Sequence, residues 1–165
     1  MKNNIPYPYL PNGKQYLLVE SENIYMHYAR EFAKEHSLDF TMPTGTLIVK
    51  KNKILGKGAN GSDYHKKFPY ERVRLQIPTG QKYELCEGCH PKNHSERSAI
   101  NNANLLHNNI EKADLYLWGH WWCCASCWDE IIAAKIRNVY LLTNSQILFN
   151  KNSPDNIIGI QFNEK

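Results

Sequence analysis

The spacing of apolar positions changes period several times along the chain, and each change marks an element. From Glu22 to His36, Ile24, Tyr25, Tyr28, Ala29, Phe32 and Ala33 recur at helical spacing and predict an amphipathic helix. Thr46 to Val49 is a short apolar run that predicts a strand. Lys51-Asn52-Lys53 reads as a tight polar turn into a second strand, Ile54 to Gly56, which completes a hairpin. Gly58-Ala59-Asn60-Gly61 is expected to end that strand in a flexible turn. Residues 62–92 have little periodicity and hold several prolines and glycines, so a long functional loop is expected there. A helix follows from about His94 to Leu106, with Ala99, Ile100, Ala103 and Leu106 on its inner side.

Asp114 to Trp118 reads as a buried strand. A helix is predicted from about Cys124 to Ile136, then a strand from Asn138 to Thr143. The tail from Ile147 to Phe162 is expected to add a last short strand, and residues 1–20, rich in Pro, Tyr and Asn, to form an irregular arm. Helix alternating with strand implies an α/β layered sheet. At 165 residues, with neither internal repeat nor low-complexity linker, the chain is expected to be one domain, 1–165.

Composition narrows the class. Hydrophobic content of 42% and charged content of 22% are ordinary for a soluble globular protein, and no apolar run is long enough to cross a bilayer. The start, Met1-Lys2-Asn3-Asn4-Ile5-Pro6, lacks the apolar core of a secretory signal, so a cytoplasmic location is expected. The net charge of +4 favours a small anionic ligand such as a nucleotide. With the lysines dispersed as pairs rather than gathered on a stripe, a nucleic-acid partner is not expected. All five cysteines fall between Cys86 and Cys127, which suits metal binding better than a disulfide framework.

The chemistry concentrates in two short motifs. His94-Ser95-Glu96 opens one predicted helix, and Cys124-Ala125-Ser126-Cys127 opens the next. One imidazole and two thiols give zinc three protein ligands and leave its fourth position open, as in catalytic rather than structural sites. Cysteines three apart at a helix start can face one point, and the positive end of the helix favours their thiolate forms. Glu96, two residues from the histidine, is an unliganded carboxylate able to move a proton of the attacking water. H-x-E followed by C-x-x-C is the mark of the zinc nucleobase deaminases. The competing assignment is a closed structural zinc site, with Cys123 or one of Cys86 and Cys89 as fourth ligand.

On these residues the chain resembles the cytidine and deoxycytidylate deaminase family. The resemblance runs from about Thr46 to Thr143 and rests on Gly58-Ala59-Asn60-Gly61, on His94 to Ile100, and on Cys124 to Cys127 with Ile131 to Ile136 downstream. It implies a three-layer αβα cytidine deaminase-like fold around a mixed, about five-stranded sheet. It also implies a sugar contact from Asn60, a pocket lined by the backbone around Ser95 and Glu96, and assembly into homo-oligomers. The pattern departs at Cys123, where the family usually has proline. Trp121 and Trp122 precede it, and Trp122 is a candidate pocket wall for stacking on a base, or a core residue.

Two further groups are candidates. Cys86, Cys89 and His90 can hold a second, structural zinc with His65 or another histidine, as some deoxycytidylate-type deaminases do. Lys66, Lys67 and Arg72, together with Arg74, can supply cations to a substrate phosphate. The expected activity is hydrolytic deamination of a cytosine nucleotide or nucleoside, of the dCMP to dUMP type. The alternatives are a deaminase of another base (free cytosine, guanine, a pterin or riboflavin precursor, or transfer-RNA adenosine) and a non-catalytic zinc-stabilised binding protein. The presence of Glu96 speaks against the last.

Overall fold

The computed structural model describes residues 8–163; residues 1–7 of the expected N-terminal arm lie outside the described residues. The elements run β1 (Tyr16–Val19), α1 (Ile24–His36), β2 (Gly45–Lys50), β3 (Lys53–Ala59), the short α2 (Glu71–Arg74), α3 (Ser95–Leu105), β4 (Asp114–Trp118), α4 (Ala125–Ala133), β5 (Asn138–Leu142) and the short α5 (Ser145–Leu148). The five strands form one sheet in the order β1-β5-β4-β2-β3. β1 and β4 flank β5 in parallel, whereas β2 pairs antiparallel with both β4 and β3. The sheet is therefore mixed. Lys51 and Asn52 take positive φ and turn β2 into β3, the left-handed pair that a two-residue hairpin requires.

Successive side chains of a strand point to opposite faces, and the two sides of the sheet carry separate cores. Ile48, Leu115, Leu117, Val139 and Leu141 pack with α3 and α4 on one face. Leu47, Val49, Tyr116, Trp118 and Leu142 pack with α1 and Phe149 on the other. The result is the three-layer αβα arrangement expected from the resemblance. Among the described residues no helix is long and apolar enough to cross a membrane.

Three expectations are corrected. The arm 1–20 is not irregular throughout, because Tyr16–Val19 is an edge strand paired with β5. β3 does not stop at Gly56 but continues through Gly58 to Ala59. Gly58 lies there because a Cβ at this position would meet the Ser95 carbonyl oxygen at 2.2 Å and the Ala99 nitrogen at 2.3 Å. α3 lies directly on the strand, so the glycine marks close packing rather than a turn. The tail adds no strand among the described residues. It forms α5 and a series of turns, and the fifth strand is β1.

Candidate active site

α3 and α4 both begin at the end of the sheet where β3 and β4 finish, and their first residues meet there. His94 is the N-cap of α3 and Cys124 the N-cap of α4, both with extended backbone. The Cys124 and Cys127 Sγ atoms each lie 3.4 Å from His94 Nδ1. Tetrahedral zinc with ordinary N and S bond lengths separates such atoms by about 3.6 Å, so the donor set fits that metal. His94 Nε2 faces the Cys89 carbonyl at 3.3 Å. A carbonyl only accepts, so Nε2 carries the hydrogen and the Nδ1 lone pair is directed at the two thiols.

Charge in the site follows from this packing. The Cys124 thiol is drawn well below the usual thiol range, first by the hydrogen bond from Cys127 and then, against burial, by His94. The same hydrogen bond and burial push Cys127 up. Burial works against a charge on His94, but the hydrogen bond and charge of Cys124 outweigh it and raise the imidazole. Glu96 is raised by burial, which the neighbouring His94 only partly offsets. A carboxyl raised in this way takes and gives protons nearer neutral pH than an exposed one.

Ser95 supports Glu96 from behind. Its fully buried hydroxyl lies 3.1 Å from Thr44 Oγ1 and 2.8 Å from Thr46 Oγ1, and donates to Glu96 Oε2 at 3.3 Å. Ser95 is thus bonded into β2 and is absent from the wall of the adjacent cavity. Cys123 is buried beside Glu96, and burial followed by the Glu96 charge holds its thiol well above the usual range. It stays outside the three-residue ligand group.

His94 and Cys124 open into a cavity of about 110 Å³ whose wall also includes Glu96, Asn60, Tyr83 and Trp122. Trp122 is buried in the core on the α3 and α4 side of the sheet and at the same time lines this cavity. Asn60 also lines it, but much of its amide is engaged. Oδ1 accepts from the Thr44 amide and Ser37 hydroxyl at 2.8 and 2.6 Å, and Nδ2 donates to the Met42 carbonyl at 2.8 Å.

The basic loop divides. Lys66 pairs with Asp63 within one tight turn, and neither Lys66 nor Lys67 reaches the cavity wall. Arg72 does reach it. The side chain is buried, donates to the Gln81 and Pro78 carbonyls at 2.8 Å each, and lies 4.4 Å over the Tyr83 ring. Tyr83 in turn meets His94 edge-on, 5.0 Å between ring centres. Arg72 therefore organises the loop against His94.

The second cluster forms with a changed membership. His65 Nε2 lies 3.5 Å from Cys86 Sγ and 3.7 Å from Cys89 Sγ, spacings that again suit a shared metal. His90, expected in this group, instead accepts the Lys92 amide with Nδ1 and caps a short turn. His65 comes from a different segment, folded over Gly88, where a Cβ would lie 2.3 Å from its Nε2.

Among the wall residues that no sequence motif gave a role are His120 and Lys151. His120 follows β4, and its position after the C-terminal end of a sheet strand was the available signal. Lys151 comes from the turns after α5, and no motif marks it.

A family model described as the cytidine and deoxycytidylate deaminase zinc-binding region matches residues 19–143. The chain belongs to this family. No curated protein matches it. Among solved structures it is similar to dCMP deaminase from the cyanophage S-TIM5, at 21% identity over 77% of this chain and 87% of that one, with TM-score 0.48. Guanine deaminase from Bacillus subtilis is 19% identical over 71% of this chain and 60% of that one, with TM-score 0.43. The diaminohydroxyphosphoribosylaminopyrimidine deaminase/5-amino-6-(5-phosphoribosylamino)uracil reductase of Thermotoga maritima is 20% identical over 71% of this chain, with TM-score 0.44. The chain spans 28% of that bifunctional protein's length.

Proposed function

We propose that the protein is a zinc-dependent hydrolytic deaminase of a cytosine nucleotide, of the dCMP to dUMP type. The observation that carries this reading is the buried Glu96, raised in pKa and facing a cavity beside a three-ligand His-Cys-Cys set. Held by His94, Cys124 and Cys127, zinc supplies the Lewis acidity that makes water a nucleophile near neutral pH. Glu96 takes a proton from the attacking water and places it on the ring nitrogen next to the amino-bearing carbon. It then moves the proton of the new hydroxyl to the departing amino group, and ammonia leaves. Ser95 fixes the carboxylate for both transfers through its bond to Oε2. Trp122 offers an aromatic wall for the base.

Support for a nucleotide, rather than a free base, comes from the space beyond the base. A second cavity of about 330 Å³ adjoins the first and shares Met42, Val73, Thr79, His120 and Lys151 with it. Among the described residues Lys151 is the only lysine or arginine on its wall, and none of them there is an acid. A sugar phosphate extending from the base meets that cation, with Arg72 on the wall of the first cavity. The same reading gives the His65–Cys86–Cys89 cluster a structural zinc. That metal would hold the segment whose Cys89 carbonyl orients His94.

Ammonia release from cytosine, cytidine, deoxycytidine, their phosphates, and adenine and guanine compounds tests the proposal. Turnover of deoxycytidine monophosphate with little turnover of deoxycytidine is expected. Glu96→Gln should keep its zinc and its fold and lose activity by at least about 10²-fold. Silence across the panel, or an active Glu96→Gln protein, overturns the reading.

A further inference from the structure

The edge strand β1 reaches the candidate metal site through one side chain. Tyr16 Oη accepts the backbone N–H of Cys123 at 2.9 Å and the indole N–H of Trp128 at 3.0 Å, and donates to the Tyr9 carbonyl at 3.2 Å. Residues 123 and 128 bracket the two thiols of Cys124 and Cys127. We propose that Tyr16 is a positioning residue for the metal: its hydroxyl fixes the first turn of α4, and so the two sulfur ligands, against the sheet. This rests on the reading of Cys124 and Cys127 as ligands.

The need for such a group is specific to this chain. The Cys123 N–H precedes the N-cap Cys124, so α4 offers it no partner, and Cys124 gives the helix no side-chain cap. A proline at 123 would have no N–H at all, whereas Cys123 puts a donor there, in a fully buried residue. Tyr16 supplies the acceptor. The side chain is itself well held: Tyr16 is in register with Val139 of β5, and its ring lies 5.6 Å from that of Trp128. With two bonds accepted and one donated, little freedom remains to the hydroxyl. Metal ligands must hold position to about 0.2 Å, so an unpinned α4 turn weakens the site without unfolding the chain.

Zinc affinity, measured by competition with a chromophoric chelator well below the unfolding temperature, tests this. Tyr16→Phe keeps the ring and should bind zinc at the His94 site about 10- to 100-fold more weakly, the range typical of groups that orient metal ligands. In a Cys123→Pro background the same substitution should cost less, because one of its two donors is gone. Trp128→Phe, which removes the other donor alone, should weaken zinc binding by a smaller factor and serves if Tyr16→Phe does not fold. Wild-type affinity in Tyr16→Phe, or an undiminished loss in the Cys123→Pro background, overturns the positioning role alone. A wild-type protein that binds no zinc at this site overturns the ligand assignment and the inference with it.

Discussion

Replacing Gly58 by alanine tests how the fold sets the position of α3, which carries Glu96. The added Cβ would sit 2.2 Å from the Ser95 carbonyl oxygen, 2.3 Å from the Ala99 nitrogen and 2.9 Å from the Ala99 Cα. Ordinary contact begins near 3.4 Å, so β3 and the start of α3 must separate by about 1.2 Å. All three obstructing atoms are backbone, and no side-chain rotation relieves them. Overpacking costs about 1–3 kcal/mol where side chains can adjust, and a displaced helix belongs at or above the top of that range. We therefore expect a loss of about 3 kcal/mol or more. With a urea m-value of about 2 kcal/mol/M, the unfolding midpoint should fall by about 1.5 M, read from the fluorescence of the four tryptophans.

The functional loss should exceed the stability loss. The displaced residues carry Glu96 and adjoin His94, and a misplacement of about 1 Å can cost about 10²-fold in rate. Activity measured on the folded fraction should fall by that order. Lys57→Ala, at the neighbouring exposed position of β3, should change stability by less than about 1 kcal/mol. A Gly58→Ala protein with an unchanged urea midpoint and full activity would show that the glycine does not set the helix-to-strand distance.

Two other outcomes follow from the same geometry. Fully loaded protein should hold about two zinc ions per chain, falling to about one in Cys89→Ser by elemental analysis; one ion in the wild type would remove the second site. His120 is pulled down to about 4, first by burial and then by the charge of His94. Its unfolded form takes up a proton near pH 6.5, so its contribution is complete above that pH and is lost as pH falls to about 4. The full loss is about 3 kcal/mol. Urea midpoints should therefore fall more steeply over that window in the wild type than in His120→Gln, and parallel curves would refute the assignment.

What was legible in the sequence was the chemistry that sits at helix starts. His94, Glu96, Cys124 and Cys127 are short-range patterns, and the apolar period beside each pair said which element it opened. The three-layer αβα arrangement was implied by the family resemblance, whereas an α/β layered sheet was legible for the same reason, from apolar runs such as β2 and β4 alternating with helical periods. Features that depend on distant pairing were not. β1 has only four residues, with Leu18 exposed, and its partner β5 lies at the other end of the chain. Nothing local distinguishes it from an irregular arm.

The misassigned residues share a cause: sequence neighbours were taken for spatial ones. His90 adjoins Cys89 in the chain, yet a tight turn uses its ring nitrogen as a cap while His65 folds over from 24 residues upstream of Cys89. Lys66 and Lys67 follow Asn60 closely, yet a short-range ion pair holds Lys66 away from the cavity and Lys151 reaches its wall from the far end. Glycine misled in the opposite direction. Gly58 was expected to be a turn because glycine tolerates turn geometry, but its role is to have no side chain where α3 crosses β3. Local pattern therefore located the groups that the structure gathers at the helix starts. Their alignment depends on Tyr16, Gly58 and the Cys89 carbonyl, atoms whose role exists only once the sheet has formed.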